Sequence, residues 1–142
     1  MIFKDNDERY ILSKESAENE LKKMMDYYEI DIKEIDDKDL KKAISQGYER
    51  LIKAVRLGRL KVKTESGIQV IQTLRSNGTE ITYREIDGKA KASMAGKDDK
   101  DYYGRAYALM GSLCGLGESA ILALKGVDLS LVEVLGLIFL SV

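Results

Sequence analysis

The sequence predicts an α+β fold: two N-terminal helices, a three-stranded antiparallel meander, then three to four C-terminal helices. Three observations carry this reading. Apolar residues recur at spacings of three and four before residue 58 and again after residue 88. Between residues 60 and 86 the period drops to two, and an Asn77-Gly78 pair separates two of the alternating runs. No proline interrupts any of these segments.

Residues 1–12 read as an extended leading segment with Phe3, Tyr10 and Ile11 available to pack. A helix over about 13–28 follows, because Ala17, Leu21, Met24, Met25 and Tyr28 share one face. Asp36 or Asp37 caps a second, stronger helix whose stripe is Leu40, Ala43, Ile44, Tyr48, Leu51, Ile52 and Val55. Gly58 stands where a left-handed C-terminal cap belongs. Runs 60–64, 68–74 and 80–86 read as strands with one buried face; Ile81, Tyr83 and Glu85 share a side in the third. Asp87 caps a helix that includes Ala90, Ala92, Met94 and Ala95. The charged loop 97–101 leads to a helix over 102–114, with Tyr103, Ala106, Tyr107, Met110, Leu113 and Cys114 facing inward. Gly115-Leu116-Gly117 breaks it, a short helix spans 118–125, and Asp128 caps a last one reaching Leu140. The pattern implies an N-terminal helical extension, 1–58, on an α+β core, 59–142, forming one compact domain overall.

At 142 residues, 44% apolar and 33% charged, the chain can bury one real core. The net charge of -1 hides a block pattern. Residues 1–40 carry thirteen acids and seven bases, a net of -6; residues 41–105 reach +7, and the remainder carries -2. Such asymmetry steers partners or lets one part of a chain dock on another. A single cysteine, Cys114, and no secretory signal point to a reducing, cytoplasmic setting. The apolar stretch 127–142 contains Asp128 and Glu133 and is shorter than the roughly 20 residues a bilayer span needs, so no membrane segment is expected.

Catalytic chemistry is sparse. With no histidine, the commonest general base near neutral pH and the commonest transition-metal ligand are missing. Cys114 sits on an apolar helix face and reads as an inert core thiol. Gly111-Ser112-Leu113-Cys114-Gly115 lies inside a helical pattern, not at the strand-to-helix turn a nucleophile elbow requires. Asp98, Asp99 and Asp101 are interrupted by Lys100 and lack the ligand number a calcium loop needs, so they read as a solvated loop. No catalytic residue, cofactor or metal is assigned, and the chain is expected not to be an enzyme.

Two segments point to binding instead. Arg50, Lys53, Arg56, Arg59, Lys61 and Lys63 form a basic run without an acid. It could contact phosphates, but the flanking helix is acidic and no aromatic residues interleave for base stacking, so the stronger expectation is that it meets the acidic N-terminal segment or an acidic protein partner. The last helix is apolar nearly all round, broken only by Ser130, Glu133 and Gly136. Such a helix is buried in the core or against another chain. The candidate protein-binding residues are Leu129, Val132, Leu137, Phe139 and Leu140, with an uncovered side expected around Leu137.

Residues 73–140 carry a family resemblance. Cys114-Gly115-Leu116 after a helix, Ile121 with Leu124, Asp128-Leu129 and the final Phe139-Leu140 resemble the C-terminal part of small tail assembly chaperones of contractile-tailed phages. Ile81-Thr82-Tyr83-Arg84-Glu85 with Asp87-Gly88 is similar to the strand and turn before that family's helices. The first 60 or so residues depart from its pattern, in which strands come almost first. The resemblance implies a non-enzymatic chaperone in the host bacterial cytoplasm. Its client would be a tape-measure-like protein, and it would be absent from the finished particle. The alternative is a tail, neck or host-directed interaction module, with self-association or nucleic-acid contact as variants.

Overall fold

In the computed structural model, which describes residues 7–142, Ser13 caps the first helix, α1 (Lys14–Tyr27). Phe3 lies outside the described residues. The Ser13 hydroxyl accepts the Ser16 N–H at 3.1 Å, satisfying one of the orphan donors of the first turn. Ala17, Leu21, Met24 and Met25 are buried, as their spacing predicts. The helix closes with Ile30 N–H donating to Met25 O and Glu29 N–H to Asp26 O, a Schellman turn whose left-handed residue is Glu29, φ 56°. Glycine is the usual occupant there, and a side chain at that angle costs roughly 1 kcal/mol.

A single 3₁₀ turn, Ile32–Glu34, leads to α2 (Lys38–Arg56), capped by Asp37, which accepts from the Asp39 and Leu40 amides at 3.1 Å. The same Schellman pattern ends α2, with Arg59 N–H on Ala54 O and Gly58 at φ 76°.

Strands β1 (Leu60–Lys63), β2 (Gln69–Thr73) and β3 (Glu80–Tyr83) form an antiparallel sheet in that order. The register aligns Leu60, Gln72 and Ile81 in one row and Val62, Val70 and Tyr83 in the next, and all six are buried. Ile71, on the opposite face between Lys61 and Thr82, is buried too, because β2 is the central strand. The chain leaves the sheet after Tyr83 to donate Arg84 N–H to Leu113 O, so Glu85 is exposed instead of sharing the buried side. Asn77-Gly78 closes a four-residue loop, 75–78, rather than a two-residue turn: Leu74 N–H donates to Thr79 O and Gly78 N–H to Leu74 O. The outer edge of β1 is covered by α1. Glu20 accepts the Val62 N–H at 2.8 Å, and Lys23 Nζ donates to Val62 O at 2.9 Å. An edge strand capped in this way offers no template for another strand at that residue.

Four helices complete the fold: α3 (Gly88–Ala92), α4 (Tyr102–Cys114), α5 (Glu118–Leu122) and α6 (Gly126–Phe139). Asp87 and Asp101 cap α3 and α4. Several sequence expectations are corrected. Helix α3 stops at Ala92, which is exposed with Ala95, while Ala90 alone is buried in it. Tyr103 is 48% exposed, and Cys114 is half-buried rather than buried. Ala108, Leu109 and Gly111 take inner positions of α4 because the chain at Gly117-Glu118 crosses directly over Gly111. A Cβ there would lie 2.4 Å from the Gly117 carbonyl carbon. Helix α5 ends at Leu122, short of Lys125, and Lys125 rather than Asp128 precedes the first turn of α6.

The last helix lies between α2 and α4. On one side Gly47 of α2 leaves room for Val134; on the other, Gly136 sits so near Ala106 that an added Cβ would come within 2.6 Å. Phe139 packs edge-on against Tyr28, ring centroids 5.4 Å apart. Glu133, the acid within this apolar helix, accepts the Tyr107 hydroxyl at 2.5 Å. Residues from α1, α2, the sheet and the C-terminal helices join in one core. Among the described residues, no helix is long and apolar enough to cross a membrane.

Candidate protein-docking groove

The all-round apolarity of α6 is explained by its central position. Val132, Leu137 and Phe139 are buried in the chain's own core, Leu137 with 2% of its surface exposed, whereas Leu129 and Leu140 are half-buried. The expected uncovered side around Leu137 is thereby corrected. Two helices cover what the sequence left open for a partner.

The basic run divides. Arg56 is buried at the end of α2 and holds the leading segment in place. Its carbonyl accepts the Ile11 and Leu12 amides, its Nε donates to Leu12 O at 3.1 Å, and its guanidinium stacks on Tyr10 at 3.7 Å. Lys61 and Lys63 stand on the outer face of the sheet. Arg50, Lys53 and Arg59 instead meet Arg9 and Arg75 around a groove of 970 Å³. Helix α2 and the leading segment form one wall, and the β2–β3 loop with the first turns of α6 forms the other. The apolar lining comes from Ala54, Leu57, Val127 and Leu131, with Val127 51% exposed.

Among the described residues, five cationic side chains line this groove, against the carboxylate of Asp128 within it and that of Asp7 beside it, paired with Arg9 at 2.7 Å. Partial burial holds the Arg59 guanidinium below its ordinary pKa; the charge of Arg75 adds to this and Asp128 opposes it. A site that disfavours its own cations gains from an incoming anion. The end of α2 adds a helix C-terminus, beside which basic groups are favoured, and this accounts for Lys53 and Arg56 in its last turn.

Asp128, expected from the sequence to cap the last helix, acts across the fold instead. It is buried, and its carboxylate accepts the Arg75 N–H at 2.7 Å and the Ser76 N–H at 3.2 Å. Its carbonyl accepts from Gln72 Nε2 at 2.9 Å, and Gln72 Oε1 accepts the Tyr83 hydroxyl at 2.7 Å. Burial raises the Tyr83 pKa well above the ordinary phenol range, so this hydroxyl remains a donor. The network ties the sheet and its β2–β3 loop to the start of α6, fixing the wall that carries Arg75. Within the sequence, an acid near a helix start signals a cap; nothing local distinguishes a carboxylate reaching residues 52 and 53 positions away.

At the opposite end of α2 lies a second, smaller concavity of 390 Å³. Its lining is acidic, with Glu29, Asp31, Glu34, Asp36 and Asp37, over Ile30, Ile35 and Leu40.

Compared with protein-family models, with curated proteins and with solved structures, the chain matches none significantly.

Proposed function

We propose that this chain is a non-enzymatic protein-binding module that holds an acidic, amphipathic segment of a client. Its role would be that of a phage tail assembly chaperone with a tape-measure-like client. The observation that carries the binding reading is the groove itself, apolar at its base and ringed by five cations from four separate segments. Apolar side chains on one face of a client helix would meet Val127 and Leu131, while its acids would meet Arg50, Arg59 and Arg75. Free nucleic acid fits less well, because among the described residues no aromatic platform lines the groove. The chaperone role rests on the resemblance across residues 73–140, and the groove supplies a physical means for it.

Co-expression with a tape-measure-like protein, a long coiled-coil client, tests both parts. The expected outcome is that the chain keeps that protein soluble and is absent from purified particles. Arg59→Glu with Arg75→Glu should lower the recovered soluble client by about tenfold. A chain that stays in the particle is a structural component instead. Unchanged client recovery by the double variant overturns the groove as the binding site.

A further inference from the structure

The two concavities lie at opposite ends of the same helix. The basic groove is built around Arg50–Leu57 and the first turns of α6; the acidic one takes in the turn before α2, Leu40, and Ser141 beyond the end of α6. With 19 residues at 1.5 Å each, α2 separates them by about 28 Å. The surface of one copy therefore carries a cationic hollow with an apolar base at one end and an anionic, apolar-backed surface at the other. The acidic side includes Glu34 and Asp36, both exposed. Ile30 and Ile35, each half-buried, give that end apolar area to present.

We propose that, without a client, the basic groove receives the acidic end of a second copy, so that copies associate head to tail and a client displaces the neighbour. This rests on reading the groove as a docking site and adds the regulation of that site. Such a contact is heterologous: the two partners use different surfaces, and the pair keeps one unused end of each sign. The contact does not terminate at a symmetric dimer, so association should grow with concentration. Opposite charges at a solvated rim make it sensitive to salt. The charge blocks of the sequence, acidic before residue 40 and basic through the middle, acquire a common purpose on this reading.

Sedimentation of the full chain provides the test. At about 50 mM salt the weight-average mass should rise past that of a dimer as concentration increases, and about 500 mM salt should weaken association roughly tenfold or more. Two variants separate the ends: Arg59→Glu with Arg75→Glu in the groove, and Glu34→Arg with Asp36→Arg at the acidic end. Each should sediment as a monomer with a cooperative thermal transition. Mixing them in equal amounts should restore assembly, since each supplies the end the other has reversed. Synthetic peptide 28–40 should dissociate wild-type assemblies. A wild-type monomer at every concentration overturns the proposal, as does a mixture that stays monomeric or an acidic-end variant that still self-associates. The client-solubility assay reads independently: client holding lost in the groove variant, with no self-association of the wild type, removes only this inference, whereas wild-type self-association with client holding unaffected in the groove variant removes the proposed function and displacement by a client, and leaves the head-to-tail contact.

Discussion

Asp128→Ala deletes the carboxylate that pins the β2–β3 loop to α6 and leaves the backbone contact to Gln72 in place. The bond from Arg75 N–H, at 2.7 Å to a charged acceptor, is of the stronger kind, worth about 1.5–2 kcal/mol. The 3.2 Å bond from Ser76 adds about 0.5–1 kcal/mol. Residues 75 and 76 are exposed, so water replaces part of the loss and the expected destabilisation is about 2 kcal/mol. For a chain of this length that lowers the melting temperature by about 6–10 °C. Asp128→Asn keeps an acceptor for Arg75 but gives up the charge and the second acceptor, so it should cost about half as much. Urea denaturation of the three proteins, with hydrogen exchange at the Arg75 and Ser76 amides, measures both parts. Those two amides should exchange faster in the alanine variant while Val70, at the sheet centre, changes only with global stability. A loss under about 0.5 kcal/mol, or no acceleration at the two amides, would refute the view that this carboxylate holds the groove wall.

Two further outcomes follow from the packing. Leu137→Ala should cost about 2–5 kcal/mol in urea denaturation, and Leu129→Ala distinctly less, because the first is enclosed and the second half-exposed; equal losses would contradict the central placement of α6. Burial pushes the Tyr28 phenol up to about 12, above its ordinary value near 10. The folded state therefore holds its proton more tightly than the unfolded chain does. Its contribution to stability is complete below about pH 10 and is lost as pH rises towards about 12, with Tyr83 acting in the same direction. Tyr28→Phe should flatten part of that alkaline loss in pH-dependent melts; an unchanged slope would argue against it.

Much of the fold was legible because local chemistry and tertiary position agree. Asp37 and Asp87, read from the sequence as caps, act within three residues of themselves and do so in the structure, whereas Asp128, read the same way, reaches across to the sheet loop. The alternation through Leu60, Val62, Ile81 and Tyr83 survives because those strands have one strongly covered face. Arg56 parts from the rest of the basic run for a geometric reason. Steps of three along a helix fall 60° short of a full turn, so a stripe drawn from Arg50 through Lys53 has rotated about 120° by Arg56. That carries it to the buried side with Ile52 and Val55, where the leading segment supplies its partners. The groove was not legible. Arg9, Arg59, Arg75 and Asp128 meet only after α2 and α6 have packed antiparallel, and no periodicity relates them.

The final helix shows how one sequence signal can be compatible with opposite roles. Apolarity all round requires cover on every side, but it does not say whether that cover comes from the same chain. Here Gly47 and Gly136 decide the matter, since each removes a side chain where a neighbouring helix must approach. A helix meant for a separate client would have no need of such close contacts within its own fold. Closely packed cores yield poorly to insertion. On the proposed reading, binding therefore falls to the ends of α2, where packing finishes and charge collects. At the basic end Val127 and Leu57 retain apolar surface beside Arg50, Arg59 and Arg75, and at the acidic end Ile30 and Ile35 do so beside Glu34 and Asp36. On that reading apolar area would provide adhesion at both places, and sign of charge would select what adheres. Helix α6 would serve that role indirectly, as the rigid strut whose first turn anchors one wall of the groove through Asp128.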